Sequence, residues 1–329
     1  MKFPTKLKAA LVAAACMATA AWGQATAAAS EWRPTKPVRI VVPITGSTND
    51  VLARLIAPKL QEALGQPFVV ENKPGAGGNI GAYEVSRSVP DGHTLLIGYN
   101  GPLAINVTLF DKMPYDPLKD LVPITLAVKS PQYLVANPDA GFKDVKDFIA
   151  KAKANPSKYS YGSVAMGSAS HLTMEMMKSA AGFQMTHVPY RGAGPAVTDL
   201  IAGNIQGGFF VPGNVQGFVK EGRLKLLAST GTKRFPSTPT IPTLAESGLK
   251  DFEATSWIGL LAPAGTPPVV INTYHQAMVR ILNSPDIRKH LDEMEFETIA
   301  STPKQFSDWI ATEIVRWGKV IKATNAKAD

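Results

Sequence analysis

Lys36 to Ala82, KPVRIVVPITGSTNDVLARLIAPKLQEALGQPFVVENKPGAGGNIGA, carries the alternation that decides the fold. Val38 to Val42 is an apolar run of strand length. Pro43 to Thr48 is a loop of small and polar residues. From Asn49 to Leu64 the apolar residues Val51, Leu52, Leu55, Ile56, Leu60, Ala63 and Leu64 recur at helical spacing, and Gly65 closes the helix. Phe68 to Glu71 reads as a second strand, Gly75 to Gly81 leads into a helix through Arg87, and Thr94 to Gly98 is a third strand. Strand, polar loop and helix in this order predict α/β layers with largely parallel sheets.

Working outward, a second series repeats the pattern. Tyr133 to Ala136, a helix over Val145 to Ala154 and the strand Tyr159 to Ser163 precede a small-residue loop, Val164 to Ser168, and a helix from Ser170 to Ala181. His187 to Tyr190 ends another strand, Pro195 can start a helix at its first position, and Leu224 to Ser229 completes the series. Phe235 to Pro242 is a proline-rich surface connection, Ser256 to Ala262 is an extended crossing, and two helices finish the chain. The 329 residues, 45% apolar and 18% charged, fit two domains of moderate size, each burying its own core.

Lys2, Lys6 and Lys8 precede the apolar stretch Ala9 to Ala21, and Ala25-Thr26-Ala27 and Ala27-Ala28-Ala29 offer A-x-A cleavage sites, so residues 1–29 read as a signal peptide. The stretch is short of the ~20 residues that a spanning helix needs. A lipoprotein role for Cys16 is the weaker alternative, because Ala13-Ala14-Ala15 lacks the usual leucine. Removing residues 1–29 lowers the net charge from +8 to +5 and removes the one cysteine, leaving a product with no thiol chemistry. No window is crowded with lysine and arginine, which argues against nucleic acid. A weakly basic exported protein is compatible with anionic small ligands.

Catalytic signatures are missing. His93, His171, His187, His275 and His290 are scattered without an HExxH arrangement, so no metal site is expected. No serine stands in a GxSxG elbow. Gly75 to Gly81 fails as a dinucleotide motif because Ile80 stands where the third glycine belongs, and no Walker lysine follows; a nucleotide-dependent oxidoreductase falls with it. No cofactor is expected, and the turn reads as a place where backbone passes close to something. More informative are the strand ends that run into Gly, Ser, Thr and Asn before a helix. Ser47 can cap a helix with Asp50 three residues on, a capping-box pattern, and Met166 to Ser170 recurs in the second series. Two helix N-termini across a cleft, each roughly half a positive charge, would hold carboxylates without lysine.

The same residues resemble a family. KPVRIVVP, the small-residue loop and NDVLARLIAPKLQEALGQPFVVENKPGAGGNIGA are similar to the extracytoplasmic solute-binding receptors of tripartite tricarboxylate transporters, the Bug-type proteins. PDGHTLLIG, MPYDPLKDLVPITL, YGSVAMGSASHL, VPYRGAGPAVTDLIAGNIQ and WIGLLAPAGTP follow in order, over about residues 36 to 320. The resemblance implies an α/β, two-lobed Venus-flytrap fold with two crossover strands, near residues 125–132 and 254–262. It also implies a periplasmic receptor without catalytic residues that captures a small organic carboxylate and delivers it to membrane permease subunits. Lobe 1 would comprise residues 30–128 and 256–329 and lobe 2 residues 129–255, in a monomer. An exported α/β enzyme acting on a small carboxylate is the alternative.

Carried over by position, the family's first ligand loop falls on Ile44, Thr45, Gly46, Ser47, Thr48 and Asn49, a second contact region on Tyr99, Asn100 and Gly101, and the second-lobe loop on Ala165, Met166, Gly167, Ser168 and Ala169. The first loop is one residue shorter than usual with one glycine in place of a pair, and Ala165 stands where glycine is frequent. Phe210 occupies the place where many relatives have an aspartate that meets a ligand amine or hydroxyl. An amino acid would lose that partner, so non-amino acids are expected, including aromatic or dicarboxylic ones.

Overall fold

A computed structural model describes residues 32–235, 237–324 and 326, so the expected signal peptide lies outside the described residues. The first part of the chain runs through β1 (Val38–Val42), α1 (Thr48–Leu64), β2 (Phe68–Asn72), α2 (Asn79–Ser86), β3 (Thr94–Tyr99), α3 (Asn106–Leu109) and β4 (Leu121–Pro131). A second series holds β5 (Tyr133–Ala136), α4 (Val145–Ala154), β6 (Ser160–Ser163), α5 (Ala169–Ala181), β7 (Thr186–Pro189), α6 (Ala193–Ala202), β8 (Gly207–Phe210), α7 (Pro212–Lys220) and β9 (Lys225–Ser229). The chain then returns through β10 (Thr255–Pro263), α8 (Pro268–Leu282), α9 (Pro285–Glu293), β11 (Glu297–Thr298) and α10 (Pro303–Thr324).

These strands build two sheets, in the orders β11-β4-β10-β3-β1-β2 and β7-β6-β8-β5-β9, each covered by helices. Both sheets are mixed, which corrects the largely parallel expectation. β1 pairs in parallel with β2 and β3, and β6 with β7 and β8. β10 runs antiparallel to β3 and β4, and β5 antiparallel to β8 and β9. The cause is the crossing itself. β4 carries the chain out to the second sheet and β10 brings it back, so the two lie side by side in opposite directions from Leu121–Pro263 to Pro131–Thr255.

Local chemistry explains most boundaries. α1 buries Leu52, Ala53, Ile56, Ala57, Leu60 and Leu64 on the face that the sequence periodicity marked. Burial of each large apolar side chain contributes ~1.5–3 kcal/mol. Gly65 adopts the left-handed conformation (φ 82°) and returns its N–H to Gln61 O at 2.8 Å. α6 starts at Ala193 rather than at Pro195, because the first four N–H groups of a helix have no partner and a proline third in line costs nothing. Three helices, not two, finish the chain; α9 and α10 each open on a proline, at Pro285 and Pro303. The largest apolar cluster does not stop at one sheet. It runs from Val41 and Leu96 to Phe148, Leu172 and Phe209, and α10 packs on α5 to join the two sides. A second cluster, Val135, Ala196, Leu200, Phe210 and Val215 among it, lies under α6 and α7.

Candidate functional site

Three loops leave the C-terminal ends of β1, β6 and β8, and each turns directly into a helix, α1, α5 and α7. Their helix starts border one chamber of about 60 Å3 between the sheets, with Ser47, Thr48 and Asn49 from the first, Ser168, Ala169 and Ser170 from the second, and Val211 and Asn214 from the third. Crevices outside the carboxyl ends of strands are where open α/β sheets place ligands. The volume holds on the order of four to six waters, the scale of a small organic molecule.

The first helix start is left open. Ser47 is the N-cap residue of α1 in extended conformation, but its hydroxyl makes no capping bond. The capping box does not form because Asp50 turns away to Arg54 (3.0 Å) and to Asn72 Nδ2 (2.8 Å). Ser47 Oγ and Asn49 Nδ2 are both buried without a hydrogen-bond partner, on residues 6% and 7% exposed. Buried polar groups are almost always paired, which sets these two apart from the rest of the loop.

The second helix start is closed on itself. Ser168 Oγ accepts from His171 N (3.3 Å), donates to Ala165 O (2.7 Å) and lies 2.9 Å from Ser170 Oγ, which in turn accepts from Val164 N at 3.0 Å. His171 Nδ1 accepts from Gly167 N (3.3 Å), and its ring stacks on His187 at 4.1 Å. Burial holds the His171 imidazole down to about 4, with the Lys178 ammonium adding to the shift. The first-turn N–H groups of Ala169 and Ser170 have no intrahelical partner, and both residues border the chamber.

A buried network fixes the floor. Asn100 Oδ1 accepts from Trp257 N (3.0 Å), while Asn100 Nδ2 donates to Thr255 O (3.1 Å) and lies 3.5 Å from Glu313 Oε2. The indoles of Trp257 and Trp317 both donate to that same carboxylate oxygen at 2.9 Å. Gln132, between β4 and β5, donates to Thr173 Oγ1 (2.6 Å) and accepts from Thr230 N through its carbonyl (2.9 Å).

Beyond the chamber lies a wider one of about 610 Å3, which shares Ile44, Tyr99 and Val164 with it and is bordered by Thr45, the Gly75–Gly78 turn, Ala165, Met166 and Arg191. Glycines let the two sides meet at its rim. A Cβ on Gly192 (φ 127°) would stand 2.8 Å from Thr45 O, and one on Gly77 (φ 62°) 3.1 Å from Met166 O. The glycine-rich turn is therefore a place of close backbone approach.

Of the residues singled out from the sequence, Ile44, Ser47, Thr48, Asn49, Asn100, Ser168, Ala169 and Phe210 line the inner chamber. Thr45, Ala165 and Met166 line the outer one. Gly46 sits in a separate surface hollow with Gly213 and Asn214. Gly101 packs under the Tyr99 ring and Gly167 against Asn106 and Leu109, behind the walls. Phe210 borders the chamber while its ring lies over Gly208 in the second apolar cluster. Sequence reading missed Gln132, Asn214, Ser256, Trp257 and Phe296. Pro212 directly after Gly208-Phe209-Phe210-Val211 was a usable signal for a third strand-to-helix turn; the others reach the chamber through tertiary packing alone.

Among the described residues no charged side chain lines the inner chamber. Among the described residues no cluster of three or more His, Cys, Asp or Glu could hold a metal, and no helix is long and apolar enough to cross a membrane. What the chamber offers is polarity without charge, namely amide and hydroxyl donors and helix ends that attract an anion.

An α/β protein of two lobes with such a chamber between them has the architecture of a solute-binding protein. Residues 52–326 match the family model described as "Tripartite tricarboxylate transporter family receptor". Protein BugT of Bordetella pertussis is 34% identical over 307 residues, covering 93% of this chain and 94% of BugT. The structure of R. palustris Rpa4515 with adipate superposes with a TM-score of 0.86 at 34% identity, over 89% of this chain and 98% of that one. The structure of periplasmic binding protein BugD superposes with a TM-score of 0.85 at 31% identity, over 90% and 100%. The chain belongs to the tripartite tricarboxylate transporter family of receptors. It is a receptor of a family of periplasmic proteins that serve tripartite tricarboxylate transporters, and not an enzyme.

Proposed function

We propose that the receptor holds one carboxylate group of a small organic acid in the inner chamber, between the start of α1 in lobe 1 and the start of α5 in lobe 2. The observation that carries this reading is the pair of buried, unpartnered groups Ser47 Oγ and Asn49 Nδ2, aimed at a chamber free of charged side chains. A carboxylate there accepts from both, and from the first-turn N–H groups of the two helices. Each charge-assisted hydrogen bond contributes roughly 1.5–3 kcal/mol. No acid lines the chamber, so an α-ammonium group would be buried without a counter-charge. The ligand is therefore a non-amino carboxylate.

In this reading residues 30–128 and 256–329 form lobe 1, residues 129–255 form lobe 2, and the ligand favours the closed state by its extra contacts to the second lobe. The mature protein, exported to the periplasm after loss of residues 1–29, is monomeric and presents the closed form to the membrane subunits. The adipate bound by the related Rpa4515 supports a dicarboxylate among the ligands. A thermal-shift panel of mono-, di- and amino carboxylates tests the reading, since ligand at 100 times its Kd stabilises the native state by about 2.7 kcal/mol. Stabilisation by non-amino acids supports it. Aspartate or glutamate as the tightest ligands, or no shift from any carboxylate, would overturn it.

A further inference from the structure

We propose that Glu295 is a latch between the lobes, a carboxylate of lobe 1 that side chains of lobe 2 hold in the closed arrangement and release when the lobes part. The proposal rests on the lobe division given under the proposed function and adds a contact that sets the balance between open and closed. Glu295 stands just past the end of α9, in a turn tied to that helix by Glu295 N to Asp292 O (3.0 Å) and Phe296 N to Leu291 O (2.8 Å). It is 4% exposed and adopts φ 55°, a left-handed conformation that residues other than glycine seldom take. Such backbone persists where the surroundings over-determine it, and here those surroundings belong to the other lobe.

Three side chains of lobe 2 converge on the carboxylate. Gln216 Nε2 on α7 donates to Oε1 at 2.9 Å, Ser237 Oγ donates to the same oxygen, and Tyr133 OH on β5 donates to Oε2. Thr238 Oγ1 lies 2.8 Å from the Tyr133 hydroxyl and fixes it in turn. The three donors are neutral, so hydrogen bonding rather than ion pairing offsets the burial of the charge. Parting the lobes withdraws all three together. The bonds therefore favour the closed arrangement by whatever they exceed hydration of the freed carboxylate. Gly213 lets α7 approach the turn, since a Cβ there would stand 3.5 Å from Met294 Cε and 3.5 Å from Thr48 Cγ2 on α1. Glu295, Tyr133, Gln216 and Ser237 are not among the residues that line the inner chamber, whereas the neighbouring Phe296 is. The latch acts from outside the chamber, one residue from its wall, and a ligand adds its own contacts to the same closed arrangement.

Small-angle X-ray scattering of the ligand-free protein tests this on wild type, on Glu295→Ala and on the double variant Gln216→Ala/Ser237→Ala, which removes two donors and leaves the turn itself intact. Urea unfolding is recorded on the same samples. Wild type is expected to scatter as the closed arrangement. The ratio of closed to open is expected to fall roughly a hundredfold in Glu295→Ala and about tenfold or more in the double variant, both read as a larger radius of gyration. If Glu295→Ala fails to fold, the double variant alone decides. Variants that unfold at lower urea yet keep the wild-type scattering profile would make Glu295 a brace within a fixed structure and overturn the latch, as would a wild type that already scatters as an open form. The carboxylate panel of the proposed function uses none of these variants, so the latch and the inner-chamber reading fail separately.

Discussion

The loops that open α1 and α5 share one local design, a strand that ends in small polar residues and turns into a helix, yet they end in opposite hydrogen-bonding states. In the first, the N-cap hydroxyl of Ser47 and the amide of Asn49 are buried and unspent. In the second, Ser168, Ser170 and His171 consume one another's capacity. An unsatisfied buried donor costs ~1–3 kcal/mol, so under the proposed function the first loop holds free energy that a ligand would recover, whereas the second would contribute backbone donors and shape. Preorganised donors on one lobe and a self-satisfied surface on the other suit a receptor that catches its ligand on lobe 1 and then closes lobe 2 over it.

The sharpest way to break this contrast is Asn49→Asp. The substitution conserves shape but sets a negative charge against the ligand carboxylate and removes a donor. Affinity for the best acid should fall about a hundredfold or more by calorimetry at pH 7, because a hydrogen bond to a charged partner of ~1.5–3 kcal/mol is lost and a like-charge contact added. Unchanged affinity would mean that Asn49 faces no carboxylate.

Next in size is a pH effect confined to the second loop. His171 titrates near 4 in the folded protein against 6.5 when free, because burial disfavours its cation. Between these values the unfolded chain binds the extra proton, so the stability present above pH 6.5 is lost as pH falls through the folded value. The loss between pH 7 and pH 4 is about 3 kcal/mol. Urea unfolding across that range should show it, and His171→Gln should flatten the limb. An equal slope in the variant would place the acid sensitivity elsewhere.

Much of this contrast was beyond the reach of the sequence. Periodicity located α1 and α4, Gly65 as a helix end, and both loops, since those signals are local. It treated the two loops as equivalent because Ser47 and Ser168 occupy the same position relative to a helix. What separates them is hydrogen bonding that residue types do not reveal: the Asp50 carboxylate goes to Arg54 on its own helix and to Asn72 on β2, and Ser47 Oγ finds no partner, while Ser168 finds Ala165 and Ser170 within its own loop. The antiparallel crossing of β4 and β10 was equally hidden, because strand direction is set by where the chain goes afterwards. Gln132, Trp257 and Phe296 entered the chamber for that reason without any local signature.

A smaller effect is expected from Ser47→Ala. Its hydroxyl has no partner in the ligand-free chain, so removing it should leave the urea midpoint unchanged or slightly raised. Ligand affinity should fall roughly ten- to a hundredfold, the equivalent of one charge-assisted hydrogen bond. A loss of stability with unchanged affinity would turn Ser47 into an ordinary helix cap.

Ser168→Ala should give the mirror image at the lowest amplitude. Its hydroxyl caps α5 through His171 N and donates to Ala165 O, so the substitution removes a cap and one donor to Ala165 O, which keeps Ser163 Oγ (3.1 Å) and Ser168 N (3.2 Å). Loss of a serine cap typically costs ~1 kcal/mol, and the ligand-free protein should unfold at correspondingly lower urea. The ligand loses no side-chain donor, because that hydroxyl hydrogen is already given to Ala165 O at 2.7 Å; affinity should fall less than in Ser47→Ala. Measured side by side, the two alanine variants separate a loop that binds from a loop that braces. If Ser168→Ala is the weaker binder and keeps its stability, the ligand takes the Ser168 hydroxyl away from Ala165, and the roles assigned to the two loops exchange.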